Sequence, residues 1–160
     1  MGVKGFYTAQ EGHVVNVLPP VDCTGGKLGQ CFKMAKHGHA SIILQFGVTA
    51  AAPTKVTLNA CSDAAGDNPQ AIGFDLFKQE TAGASQDVLS TRTPIGAAGF
   101  QPSNNDNIFY VLEVDADSLP AGLPYVQLDI TNGVNSAIAS AVAILSGSRF
   151  ASESSETVTT

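Results

Sequence analysis

Proline and glycine break this chain every ten to fifteen residues, and the stretches between the breaks are rich in branched and aromatic side chains. That punctuation constrains the fold more than any other feature. Runs so short suit strands, whereas an amphipathic helix needs roughly ten to twelve uninterrupted residues. "GHVVNVLPP" predicts a strand over 13–18, stopped by Pro19 and Pro20. Further strands are expected near 31–34 and over 40–48 ("ASIILQFGV") and 55–61. In the last of these Val56, Leu58 and Ala60 alternate with Lys55, Thr57 and Asn59, a half-buried pattern. "QAIGFDLFKQE" reads as one strand with Ile72, Phe74 and Leu76 on one face. Phe77 falls on the other face beside Asp75, an aromatic turned toward a second layer or a partner.

The polar stretch that follows has room for short strands at 87–91 and 95–100. Beyond it, Tyr110, Leu112 and Val114 alternate with Phe109, Val111 and Glu113, and 125–131 places Val126, Leu128 and Ile130 together. Turns are expected at Gly25–Gly26, at 115–119 and at Asn132–Gly133. "NSAIASAVAILSG" is two-sided: its alanines favour a helix, while its branched residues and lack of a charged face favour a final strand, the reading preferred here. About eight strands without a strong helix predict an all-β chain, an antiparallel two-sheet β-sandwich, jelly-roll-like. The domain would span 13–147, between an N-terminal arm, 1–12, and a flexible polar C-terminal tail, 148–160.

Charge enters next because it restricts partners. Only 14% of the 160 residues are charged, against an ordinary ~25%. The surface must be built from Ser, Thr, Asn, Gln, Ala and Gly, which are cheap to desolvate, as suits a subunit of an assembly. Net charge is −6, and the eight Lys and Arg are scattered. Nucleic-acid binding needs a dense positive field, so it is not expected. No 18-residue apolar run is present to span a membrane. "MGVKGFYTAQEGH" lacks the apolar core of a secretory signal and a Ser or Thr at position 6, which predicts synthesis and initial residence in the cytoplasm.

The candidate chemistry is thin. Cys23, Cys31 and Cys61 are odd in number and far apart, and read as free thiols packed as small hydrophobes. His37 and His39 would share a strand face, but a metal needs a third ligand such as His13 or Cys31. "CSDAAGDNP" offers Asp63, Asp67 and Asn68 without the closing Glu of a calcium loop, and reads as a capped turn. Asp115 and Asp117 read as turn residues that satisfy backbone amides. Neither a GxSxG elbow nor a phosphate loop occurs. The expectation is therefore a protein that is not an enzyme, with no catalytic residue, cofactor or metal. Its candidate contacts with other subunits are aromatic: Phe6 and Tyr7 in the arm, Phe77 on its strand, and Phe150 in the tail.

The opening "MGVKGFYTAQEGHVVNVLPPVD", the segment "HASIILQFGVTAAAPTKVTLNACSD" and the ending "AVAILSGSRFASE" resemble small proteins encoded beside the major capsid gene in tailed bacteriophages and prophages. The resemblance is to head decoration, or cement, proteins. It implies binding to the outside of the expanded capsid shell, bridging major capsid subunits, commonly as a homotrimer over local symmetry points. It also implies residence on the outer head surface of the virion after assembly in the host cytoplasm. No catalytic residue carries over from it. Two rival readings are a glycan- or host-surface-binding module using Tyr110, Tyr125 and Phe77, and a phage tail structural subunit. Aromatics at 7% and no Trp weigh against a sugar platform.

Overall fold

A computed structural model describes residues 5–81 and 88–148. Asp87, Phe150 and the rest of the expected tail beyond Ser148 lie outside the described residues. A four-residue helix, α1 (Thr8–Glu11), leads into β1 (His13–Asp22). There follow β2 (Lys27–Leu28), β3 (Phe32–Lys33), β4 (His37–Thr49), β5 (Lys55–Cys61), β6 (Gln70–Ile72), β7 (Phe74–Gln79) and β8 (Thr93–Ile95). The chain closes with β9 (Ile108–Asp115), a 3-10 turn (Ala116–Ser118), β10 (Tyr125–Thr131) and β11 (Ala137–Ser148).

These strands form two antiparallel sheets. The larger, sheet A, runs β1-β11-β4-β9-β7-β8; the smaller, sheet B, runs β2-β10-β5-β6, with β3 also beside β10. The all-β sandwich expected from the strand spacing is therefore present. Chain neighbours often land in different sheets: β4 and β5 do, and so do β10 and β11 across the Asn132–Gly133 turn.

The core follows from period-two alternation. Ala40, Ile42, Leu44 and Phe46 of β4 face inward, as do Ile108, Tyr110, Leu112 and Val114 of β9. Sheet B answers with Val56, Leu58 and Ala60 of β5 and Val126, Leu128 and Ile130 of β10. The alanines that gave β11 its helical look, Ala137, Ala139, Ala141 and Ala143, are its buried face. Packing, not intrinsic propensity, decides the state of that segment.

Several local expectations are corrected. β1 does not stop at Leu18 but continues through Pro19 and Pro20 to Asp22, with register shifts on either side of Leu18. It is an edge strand, where a residue without an N–H is tolerated. "QAIGFDLFKQE" is two strands, not one: at Gly73 the chain leaves sheet B for sheet A, and a Cβ there would lie 2.9 Å from the Ile95 carbonyl oxygen. Residues 88–92 are not strand, and only 93–95 of the polar stretch are. Phe100 makes an isolated bridge to Val56 instead of ending a strand from 95.

Candidate functional site

The two sheets differ on their outer surfaces. On sheet A, Ile43 pairs with Val142 on one side and Val111 on the other, and Val111 pairs with Phe77. Of the residues flanking these in sequence, Ile42, Leu44, Ala141, Ala143, Tyr110, Leu112 and Leu76 are buried, and Lys78, near the end of β7, is exposed. Alternation therefore turns Val142, Ile43, Val111 and Phe77 outward as one row across four strands. At a strand spacing of about 4.8 Å the row is about 14 Å long. Val142 is 38% exposed, and Val14 and Ile138, on the same face, are 51% and 38% exposed. Phe109, opposite Gln45, borders the row on one side. Phe77 thus stands where the sequence put it, on the face away from the core, and three aliphatic side chains continue it.

The other border of the row is polar toward β7. Val14 pairs with Ile144, Ile144 with Ser41, Ser41 with Glu113, and Glu113 with Asp75. One position further, His39 sits opposite Asp115. Its Nε2 lies 2.6 Å from Glu113 Oε2 and its Nδ1 lies 2.7 Å from Asp115 Oδ1. Ser41 donates to the same Glu113 oxygen at 2.6 Å. Arg92 pairs with Asp75 at 2.7 Å. Burial pushes the His39 pKa down, but the hydrogen bonds to Asp115 and Glu113 outweigh it and the net shift is upward. Both imidazole nitrogens are committed to carboxylates and Ser41 gives its proton to Glu113, so no serine–histidine pair of the acyl-transfer kind is formed here. The arrangement is an ion-paired margin to an apolar row.

The other sequence candidates are scattered. His37 is buried and stacks on His13, ring centroids 6.0 Å apart, while His39 belongs to the carboxylate margin. Among the described residues no group of three His, Cys, Asp or Glu side chains stands close enough to hold a metal. Asp63 Oδ1 accepts from the N–H groups of Ala65 and Asp67, a capped turn as read from the sequence. Asp115 is a correction: it ends β9 and binds His39, and the expected turn begins only after it. All three cysteines are free and buried, and burial pushes Cys31 up to about 11. Among the described residues no helix is long and apolar enough to cross a membrane.

The glycan platform does not assemble. Tyr110 is fully buried; its hydroxyl donates to Glu80 at 3.0 Å and accepts from the Ser103 N–H at 2.7 Å, with burial raising its pKa. Tyr125 lies on sheet B, with Lys33 Nζ 5.5 Å from its ring centroid, and Phe77 lies on sheet A. Phe6 and Tyr7 are exposed ahead of α1. Phe150 lies outside the described residues.

The row on sheet A went unread in the sequence, apart from Phe77, because it depends on strand register. One signal for it was available. An antiparallel strand with one wet face alternates, yet "SIILQF" and "IFYVLEV" place apolar residues on both faces.

No family model matches the chain, and no curated protein does. The crystal structure of SPBc2 prophage-derived protein YomS overlaps it with a TM-score of 0.44 at 11% identity, covering 84% of this chain and 93% of that chain. A likeness at that level carries no argument.

Proposed function

We propose that this protein is a structural virion protein that binds the outer surface of the capsid shell and reinforces it by bridging major capsid subunits, as a homotrimer. The observation that carries the reading is the outward row Val142–Ile43–Val111–Phe77, with Val142 38% exposed and the other three half-buried. A sheet face with apolar residues on its water side suits a partner. The weak charge of the chain agrees, because little need be stripped of water when copies press on a shell. Repetition by symmetry then multiplies modest contacts into avidity.

We also read the topology as a jelly roll. With β2 and β3 counted as one strand and the β7–β8 pair set aside as an insertion, eight strands remain. Numbered along the chain, they run 1-8-3-6 in sheet A and 2-7-4-5 in sheet B. Jelly rolls serve in viral capsid and lectin domains, and that support is analogy of fold alone.

Electron cryo-microscopy of virions carrying this protein tests the reading. The expected result is density for the sandwich on the outer head, with sheet A toward the shell. Density in the tail, or absence from purified heads, transfers the assignment to a tail subunit. Specific binding of the free protein in a glycan screen favours the host-surface module.

A further inference from the structure

The β1–β2 link and the β10–β11 link interlock where the chain passes between the two sheets. The Cys23 N–H donates to the Ala137 carbonyl and the Gly25 N–H to the Gly133 carbonyl, both at 2.8 Å. Ser136 Oγ donates to Asp22 Oδ2 at 2.7 Å. One side chain ties the two links from the middle. Asn132 Nδ2 donates to the Cys23 carbonyl at 3.1 Å and to the Asn135 carbonyl at 3.0 Å. Both protons of that amide are therefore in use, and each goes to an acceptor that only a donor can satisfy.

This tie is also the one asparagine in the chain that is followed by glycine. Its Oδ1 accepts from the Gly133 N–H at 2.9 Å, so the Gly133 nitrogen stands against the Asn132 side-chain carbonyl group. Closure of that nitrogen onto Cγ makes a succinimide ring. Holding the two groups together turns their meeting into a unimolecular step. Gly133 is exposed, and no described atom beyond its chain neighbours lies within 4 Å of the place a Cβ would take there. Other asparagines lack this setting. Asn16 and Asn59 lie inside β1 and β5. Asn68 precedes Pro69, which has no N–H to lose. Asn107 precedes the branched and buried Ile108.

We propose that Asn132–Gly133 is a self-modifying site, at which spontaneous deamidation severs the tie between the two links. The Gly133 nitrogen attacks Asn132 Cγ: the N–Cγ bond forms, the Cγ–Nδ2 bond breaks, and the Gly133 proton, relayed through solvent, leaves with the side-chain amide as ammonia. Water then adds to one of the two carbonyls of the succinimide and breaks that carbonyl's bond to nitrogen. Opening at the side-chain carbonyl gives aspartate. Opening at the main-chain carbonyl gives isoaspartate, with the backbone rerouted through Cβ. Nothing is oxidised or reduced, and water is the only co-reactant. Alkali speeds the attack because the Gly133 nitrogen must give up its proton. Either product lacks Nδ2. A carboxylate then faces the Cys23 and Asn135 carbonyl oxygens, acceptor against acceptor, and leaves both without their donor. Isoaspartate also adds a methylene to the backbone between β10 and β11. The site stands apart from the capsid reading and takes no support from it.

Incubation of the full folded chain in mildly alkaline buffer, followed by peptide mass spectrometry, tests this. The expected result is conversion of amide to acid at Asn132 ahead of every other asparagine, with aspartate and isoaspartate both present. The aged protein should melt several degrees below fresh protein. Asn132→Asp should show a lowered melting temperature without ageing. Gly133→Ala should keep the wild-type melting temperature, since Gly133 has no positive φ and open space beside it, and should slow the conversion about tenfold because the methyl restrains closure. An Asn132 that stays intact in the folded chain, while the same chain held in urea converts it, overturns the proposal. Equal rates in wild type and Gly133→Ala overturn the route through the Gly133 nitrogen. Full conversion with an unchanged melting temperature overturns the tie.

Discussion

The outer faces of the two sheets are built from the same kind of strand and finished differently. Sheet B is covered over its middle by the chain's own loops, while Leu28 at its β2 edge stays 61% exposed. Thr57 and Gln127 point away from the core yet are only 6% and 9% exposed. The loop through Gly66 lies over Gln127 and Cys31: a Cβ at Gly66 would come 3.1 Å from Gln127 Nε2 and 3.4 Å from Cys31 Sγ. Gln127 Nε2 donates to the Gly29 carbonyl at 3.1 Å, so this polar side chain is satisfied under its cover. At Gly99, with φ +74°, the chain passes close enough to Val56 and Thr57 that a Cβ would lie 2.2 Å from the Val56 carbonyl oxygen. On sheet A the outer row is aliphatic and aromatic, and Val14, Ile138 and Val142 on that face are 38–51% exposed while Ile43, Val111 and Phe77 are half-buried. The difference teaches that an apolar residue on a covered face contributes to folding, whereas one on an open face is available to a partner.

Substitutions on the covered side should cost most. Gly99→Ala combines a positive φ with a backbone collision, and should lower the unfolding free energy by about 3 kcal/mol. Urea denaturation measures it, and a loss below about 1 kcal/mol would mean that the loop gives way and sheet B is not firmly capped.

On the open side, Ile43→Ser with Val111→Ser should lower stability by about 2 kcal/mol, because these paired side chains are half-buried on central strands, and leave the fold intact. The same pair should abolish attachment to purified heads in a co-sedimentation assay. Retained attachment would break the contrast between the faces, and a large loss of stability would show that the row serves folding after all.

The smallest effect is expected at the ionic margin. The His39 pKa is raised, so its clamp on Glu113 and Asp115 stabilises fully below the ordinary 6.5 and is lost as pH climbs through the higher folded value. Wild type should lose melting temperature relative to His39→Gln over that window. The difference should be small, since Asp115 is 72% exposed and water screens the pair. Parallel melting curves of the two proteins across pH 6–8 would mean that the margin contributes nothing to stability.

Much of the core was legible because burial in a sandwich obeys period two. Val56, Leu58 and Ala60, and again Tyr110, Leu112 and Val114, were assigned to a shared face by alternation alone, and they face inward together. Pro19–Pro20 misled because proline reads as a stop, whereas an edge strand can carry it. Gly73 misled differently: the alternation of Ile72, Phe74 and Leu76 continues unbroken while the chain changes sheets, so the pattern held no trace of the crossing. Phe77 was found by parity, but Val142 and Ile43, its companions on sheet A, lie 65 and 34 positions from it in the sequence.

Residue order by itself determined the strands, the inner faces and the sparse charge, since each depends on spacing within a few neighbouring positions. Tertiary structure decided which strands meet. Only register across β11, β4, β9 and β7 aligns Val142, Ile43, Val111 and Phe77 into one row, and only the tertiary fold brings the loops through Gly66 and Gly99 over the middle of sheet B. Alternation states that a side chain points outward; it does not state what stands beside it, because hydrogen-bonded neighbours in a sheet come from distant parts of the chain.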